Sequence, residues 1–377
     1  MKYFFYILCI AFVFGCQNSP EGKTKIEADQ LDYSVKHAQG FSIEVYKDFA
    51  IIEVKKPWPN SKQNYRYLVQ YTSTHEQVKG NFDAVISTPI SSYILSSTTH
   101  IPSAESLGIL DNLVGFPNTD YISSKSARKR IKDGKITDVG QNQQLNTELI
   151  LNLNPDVFVG FSVDGANKAY SVFEKAGIPI VYNGDWVEST PLGKAEWIKF
   201  FGALFNKNKL AQQQFEAIEN AYHKTKQLAK TAKNKPKVIS GSLYNDKWYL
   251  PNGTSWQAQF IEDAHADYMY KNTSGSGSLA LAFESVLNKA SEADIWISPG
   301  SYTSYETMLN DQPHYKKFKA FSTKKVYSVA QKKGETGGVL FYELAPNRPD
   351  LVLKDLVKVF HPELLPHHNF HFFSPLQ

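Results

Sequence analysis

The sequence predicts an α/β chain of two lobes joined by one long rigid helix, with a small β addition ahead of the first lobe. Three observations predict it. The chain has 377 residues, and single hydrophobic cores stop growing at roughly 250–300 residues, so two domains suit it better than one. Short apolar runs alternate with helix-period segments on both sides of the middle of the chain, the grammar of strands covered by helices. Between the two halves, Asn208 to Ala232 carries a helical pattern that no Pro or Gly interrupts. Its apolar residues Ala211, Phe215, Ile218 and Tyr222 recur at steps of four, three and four, and Leu228 continues the line past Thr225. That is one stripe of an α-helix. At 1.5 Å per residue the segment spans about 38 Å, longer than one small lobe needs. It reads as a strut between lobes, the alternative being a surface helix of one large domain.

Composition narrows the function classes. Hydrophobic residues make up 42% and charged residues 21%, as in a soluble globular protein, and a formal net charge of +4 is too small and too evenly spread to argue for nucleic acid. Aromatic residues reach 14%, many beside Gly, Asn and Ser in expected loops. That favours a flat or π-rich ligand.

Residues 1–16 read as a processing segment. Lys2 gives a basic start, Tyr3 to Phe14 is an apolar run too short for a membrane span, and Gly15-Cys16 places a small residue before cysteine. This resembles a bacterial lipoprotein signal, with Val13-Phe14-Gly15-Cys16 as a loose lipobox in which Phe14 is bulkier than the pattern prefers. The resemblance implies that Cys9 is removed and Cys16 carries the lipid, leaving no thiol for a disulfide or a Cys-ligated metal. Residues 17–30 are polar, with Pro20 and Gly22, and read as a tether.

Residues 31–75 form a β-rich addition, expected at a sheet edge. The first α/β lobe is expected over 76–190. There Phe82 to Ser87 reads as a buried strand ending in Ser87-Thr88-Pro89, and Leu113 to Phe116 as a second strand opening into Pro117 to Tyr121. Asn146 or Thr147 caps a helix that Pro155-Asp156 stops, and Val157 to Gly160 is a buried strand with Phe161 in its loop. Ile178 to Tyr182 opens into Asn183 to Trp186. Linking helices occupy 191–235, including the strut at 208–232. The second lobe, 236–377, restarts the pattern, and Glu284-Ser285-Val286-Leu287-Asn288 followed by Asp294 and strand Ile295 to Ser298 echoes Glu148-Leu149-Ile150-Leu151-Asn152 followed by Asp156 and strand Val157 to Val159. Two Rossmann-like lobes are therefore expected, each binding at the carboxyl ends of its strands.

Catalytic and metal motifs do not form. Ser274 to Ser278 is glycine-rich but lacks the Lys-Ser/Thr ending of a phosphate loop and the elbow context of a nucleophile. His367-His368 and His371 are the one His cluster, and the first lobe offers His100 without a local partner. Direct metal capture would want several ligands converging from both lobes. No cofactor is expected, and an enzyme on the same two-lobed fold is the alternative of a different class.

The paired Glu pattern, the lipobox and the stretches LNTELILNLNPDVFVG, GIPIVYNGDW, TPLGKAEWIKFFGALF and RPDLVLKDLVKVFHPELLP resemble the substrate-binding lipoproteins of ABC importers. The likeness is to the group serving iron-siderophore, haem and vitamin B12 uptake, and in particular to ferric-complex binding lipoproteins of Bacteroidetes. It covers about Phe82 to Leu365. It implies a monomeric receptor, lipid-anchored in the periplasm, that captures a metal complex between its lobes and passes it to an ABC permease of the inner membrane. Ferric siderophore is the first expectation, with corrinoid or haem as alternatives.

The resemblance also implies roles for residues. Glu148 and Glu284 match the glutamates that contact the permease. Loops at the strand ends offer Thr88, Tyr121, Phe161 and Trp186 on the first lobe as ligand contacts. The second lobe offers Tyr244, Trp248, Trp256, Tyr302, Tyr305 and Tyr342. Arg128, beside Arg130, either grips an anionic ligand by bidentate bonds or belongs to a solvated basic face. Arg348 contacts ligand, or pairs with Asp350 or Glu343.

Overall fold

A computed structural model describes residues 30–72, 78–163, 165, 167–275 and 277–377. The expected signal segment, Cys16 and the tether as far as residue 29 lie outside the described residues. No described helix is long and apolar enough to cross a membrane.

The first sheet contains β1 (Phe41–Val45), β2 (Phe49–Val54), β3 (Tyr65–Gln70) and β4 (Ala84–Ser87), in that order. The first three pair antiparallel and β4 joins β3 in parallel. Ala50, Ile52 and Val54 of β2 face the first lobe's core, while Phe49 and Ile51 pack with Tyr46 and Leu68 on the other side. This corrects the reading of 82–87 as a buried strand of the first lobe. β4 is the edge of the added sheet, with Ile86 alone buried and Val85 exposed.

The first lobe's central strand is β5 (Tyr93–Leu95), fully buried. Three residues between Ser91-Ser92 and Ser96-Ser97 are too few to show a period, so the sequence carries no strand signal there. There follow α1 (Ile101–Ser106), β6 (Leu113–Phe116), α2 (Lys125–Lys132), β7 (Thr137–Asp138), the ribbon β8 (Gly140–Gln141) and β9 (Gln144–Leu145), α3 (Thr147–Leu153), β10 (Val157–Gly160), α4 (Tyr170–Lys175) and β11 (Ile180–Tyr182). The lobe's sheet is parallel, in order β11-β10-β5-β6-β7. The Asn146 side chain caps α3 by accepting the Leu149 amide at 3.0 Å, as its position ahead of an apolar helical run predicts.

Helices α5 (Pro191–Glu196) and α6 (Ile198–Leu204) lead into α7 (Asn208–Ala229), the strut, 22 residues long. Ala211 and Phe215 sit in the first lobe's core, and Tyr222 and Ala229 in the second's. One helix therefore belongs to both cores, which makes bending it costly in each. The stripe runs through Thr225, whose hydroxyl donates to the Ala221 carbonyl, and ends on Ala229 while Leu228 is half-buried.

The second lobe contains β12 (Lys237–Ser240), β13 (Ser242–Tyr244), β14 (Lys247–Pro251), α8 (Trp256–Asp263), β15 (Asp267–Tyr268), β16 (Ser278–Leu281), α9 (Phe283–Ala290) and β17 (Ile295–Ile297). After these come α10 (Tyr305–Asp311), α11 (Lys319–Ser322), β18 (Val326–Ser328), α12 (Leu340–Leu344), α13 (Pro349–Phe360) and β19 (Ser374–Pro375). Its main sheet runs β15-β12-β17-β18-β19, and β13, β14 and β16 form a small antiparallel sheet beside it.

The echo between the lobes has a structural counterpart. The Asp156 carboxylate accepts the Ser92 amide while its own amide donates to the Ser92 carbonyl. Asp294 makes the same two bonds with Lys237. In each lobe the helix-to-strand turn is thereby tied to the start of the neighbouring strand.

Glu188 and Glu196 fasten the segment leading into β1. Glu188 accepts the Gln39 and Gly40 amides, and Glu196 accepts those of Lys36, His37 and Ala38 while pairing with buried Lys199 at 2.8 Å.

Candidate functional site

The carboxyl ends of the parallel strands converge on a cleft between the lobes. From the first lobe, Ser96 to Thr98 follow β5, Pro117 and Tyr121 follow β6, and Phe161 follows β10. From the second lobe, Gly338, Val339, Tyr342 and Glu343 reach across from the segment after β18. Together they enclose a cavity of about 350 Å³. A larger one, about 740 Å³, adjoins it in the second lobe, bordered by Ser242, Tyr244, Tyr249, Ser298, Tyr302 and Asp311. Tyr342 borders both and is 63% exposed.

Polar bonds fix the walls. The Ser96 hydroxyl donates to the Val159 carbonyl and accepts the Phe161 amide, holding the ends of β5 and β10 together. The Asn142 side chain donates to the Ser96 carbonyl at 3.0 Å, and its buried Oδ1 has no partner among the described residues. The Tyr302 hydroxyl donates to the Asp311 carboxylate at 2.7 Å, and burial together with that bond raises it well above the usual phenol range. It stays protonated at neutral pH. Ser298 holds a φ of 48°, rare for a residue with a Cβ and found where the surroundings impose it.

The second lobe's segment between β18 and α13 is latched onto the first lobe. Glu343 accepts the Ser123 and Ser124 amides, Thr336 donates to the Asp120 carbonyl, and Lys132 pairs with Glu335. Asn347 donates to the Thr99 carbonyl and accepts the Ser103 hydroxyl.

The structure brings Tyr121, Phe161, Tyr244, Tyr302 and Tyr342 to these cavities. It places the other expected contacts elsewhere. Thr88 ends the edge strand β4 and donates to the Gln70 carbonyl, because its strand belongs to the added sheet. Trp248 is 0% exposed, stacked on Trp296 with its indole N–H on the Ser240 carbonyl. Tyr305 is buried against Phe321, its hydroxyl accepting the Val326 amide. Trp186 donates to the Ser162 carbonyl and borders neither cavity, and Trp256 packs on Phe341 with the Lys194 ammonium 5.2 Å from the centre of its ring. Arg128 is buried and donates to the Thr119 carbonyl at 2.7 Å, so it supports the loop that carries Tyr121 rather than gripping ligand or facing solvent. Arg348 makes a bidentate pair with Asp350 and borders a separate cavity behind the cleft, beside the strut.

Residues the sequence reading passed over complete the site: Asn142, Tyr249, Ser298, Asp311 and Glu343. A usable signal existed for one. In Lys247 to Pro251 the strand period of two sends Trp248 and Tyr249 to opposite faces, so an aromatic ligand contact there has to be one or the other.

Glu148 and Glu284 are exposed in the first turns of α3 and α9, and neither makes an ion pair among the described residues. Each helix leads into a parallel strand, so its first turn lies toward the carboxyl end of its own sheet. Among the described residues no three His, Cys, Asp or Glu side chains gather closely enough to hold a metal ion. His368, from the His cluster, instead pairs with buried Asp355 at 2.7 Å.

Comparison with known proteins gives likenesses of three kinds. Residues 96–332 match the model of a family described as periplasmic binding protein. An uncharacterized lipoprotein of Methanocaldococcus jannaschii is 27% identical, the match covering 97% of this chain and 94% of that protein. Solved structures share the fold, among them these two. A protein of Staphylococcus epidermidis, described as a possible iron-binding periplasmic solute-binding protein, superposes with a TM-score of 0.57 at 19% identity, over 73% of this chain and 100% of that one. The periplasmic haem-binding protein HutB of Vibrio cholerae gives 0.55 at 18% identity, over 70% and 99%.

Proposed function

The chain belongs to the periplasmic binding protein family, and on that premise we propose that it is the lipid-anchored receptor of an ABC importer for an iron complex. The ligand sits in the cleft between the lobes. The observation that carries this reading is Tyr342, which borders the cavity shared by both lobes and the larger one beside it. A ligand lying across its ring touches both lobes, and the shared strut limits how far they separate. Iron is favoured by the possible iron-binding protein and the haem-binding protein that share the fold. Corrinoid and haem are the alternatives within the same role.

Cys16 carries the anchor in this reading, and the tether lets the receptor reach the permease. Glu148 and Glu284 dock there, since two carboxylates on separate rigid lobes fix orientation and speed encounter more than they add affinity. The protein retains its ligand and does not transform it.

Tryptophan fluorescence titration of the full chain in detergent, against ferric siderophores, haemin and cobalamin in parallel, tests the proposal. Saturable one-to-one binding of one class, with the ligand recovered unchanged, supports it. Retention of none, or turnover of any, removes it.

A further inference from the structure

We propose that this cleft selects metal complexes of zero or positive net charge, and that Glu343 and Asp311 set the sign. The inference rests on the receptor reading above and narrows its ligand class. Among the described residues that border the two cavities there is no Lys, Arg or His, while Glu343 stands at the inner cavity and Asp311 at the outer. Three cations of the surrounding elements are engaged elsewhere, and Lys247, in register with Tyr244, and Lys333, bridged to Val339, border neither cavity. Arg128 holds the Thr119 carbonyl, Lys132 pairs with Glu335, and Lys194 donates to the carbonyls of Asp185 and Trp186.

The free hydrogen-bonding capacity has the same sign. With its amide nitrogen committed to Ser96, Asn142 leaves a buried oxygen that has no donor among the described residues. A donor-bearing or cationic ligand meets that atom and the two carboxylates favourably. An anion gives up its hydration and finds no opposite charge in return, which is costly in a desolvated cleft.

The chemistry of iron chelates turns this into a class. A ferric tris-hydroxamate is neutral, and one with an ammonium arm is singly cationic. A ferric tris-catecholate is triply anionic, and haemin carries two carboxylates. The cleft suits the hydroxamates, and equally a neutral or cationic corrinoid.

The test compares four probes on the full chain in detergent by fluorescence titration: ferrioxamine B (cationic), ferrichrome (neutral), ferric enterobactin (triply anionic) and haemin. Ferrioxamine B or ferrichrome should bind at least about tenfold more tightly than either anion, a difference of about 1.4 kcal/mol. Added salt should weaken ferrioxamine B binding. Asp311→Asn changes an exposed side chain that keeps an acceptor for Tyr302, and it should reduce the preference for the cation over the anions. Glu343→Gln should reduce it further. Equal or tighter binding of enterobactin or haemin overturns the charge inference and leaves the receptor reading standing. Retention of none of the four, nor of cobalamin, takes both away.

Discussion

Glu343 of the second lobe accepts the backbone amide of Ser123 in the first lobe at 2.6 Å, and that of Ser124 at 3.0 Å. The bonds fall at the start of α2, where amides without partners inside the helix and the helix dipole favour negative charge. One carboxyl group thus joins the lobes and borders the candidate ligand cavity.

Burial pushes the Glu343 carboxyl from 4.5 up to about 7, the two amides offsetting only part of the rise and nearby Glu105 adding to it. Glu105 is itself held by the Ser124 and Ser126 hydroxyls, and the nearest ion pair across the lobes is Lys132 with Glu335. A raised carboxyl binds a proton in the folded chain that the unfolded chain releases. Its stabilising contribution is full below pH 4.5 and is lost as pH rises to about 7. The thermal midpoint of the ligand-free chain, measured against Glu343→Gln, should fall across that window and level off above it. A constant difference between the two proteins contradicts this. A cationic complex favours the ionised carboxyl, so its affinity should rise through pH 7 in the wild type and stay flatter in the variant.

Trp248 and Tyr249 are adjacent and should behave oppositely. Trp248 lies wholly within the second lobe's core, and Trp248→Ala should cost about 3–5 kcal/mol of stability. Tyr249 is exposed at the outer cavity. Tyr249→Ala should leave the urea midpoint almost unchanged and weaken ligand binding several-fold. Loss of affinity without loss of stability in the Trp248 variant would return that residue to the ligand.

The Glu196–Lys199 pair is buried on both sides. Lys199→Met leaves a carboxylate without its cation and should cost about 3–5 kcal/mol in urea unfolding. A change below about 1 kcal/mol would show that the amides of Lys36, His37 and Ala38 satisfy Glu196 by themselves.

Docking through Glu148 and Glu284 predicts separable effects. The double variant Glu148→Ala, Glu284→Ala should abolish uptake in cells while leaving ligand affinity within about twofold. An equal loss of affinity would move these residues into the cleft.

The strut and the α3–β10 and α9–β17 units were legible because period, caps and breakers agree over long segments. The Asp156 and Asp294 ties explain why two lobes of different sequence carry the same spacing. β5 was not legible, since three residues show no period. The expected place of β4 differs for that reason: without a signal for β5, the apolar run at 82–87 is the strand the pattern offers for the first lobe's sheet, and Thr88 follows it. Trp248 and Tyr305 failed for another reason, while Arg348 took the alternative expected for it, the pair with Asp350. Residue type suggested ligand contact, whereas tertiary packing decides which face of a strand or helix opens on the cleft. Glu343 carried no local signal, because its partners are more than two hundred residues away.

Hydrogen exchange of the full chain, with and without the complex that binds in titration, tests the central claim most directly. Ligand held between the lobes should slow exchange together at residues 96–98, 121–124, 161 and 338–343. Protection confined to one lobe, or centred on the Arg348 cavity beside the strut, would contradict it.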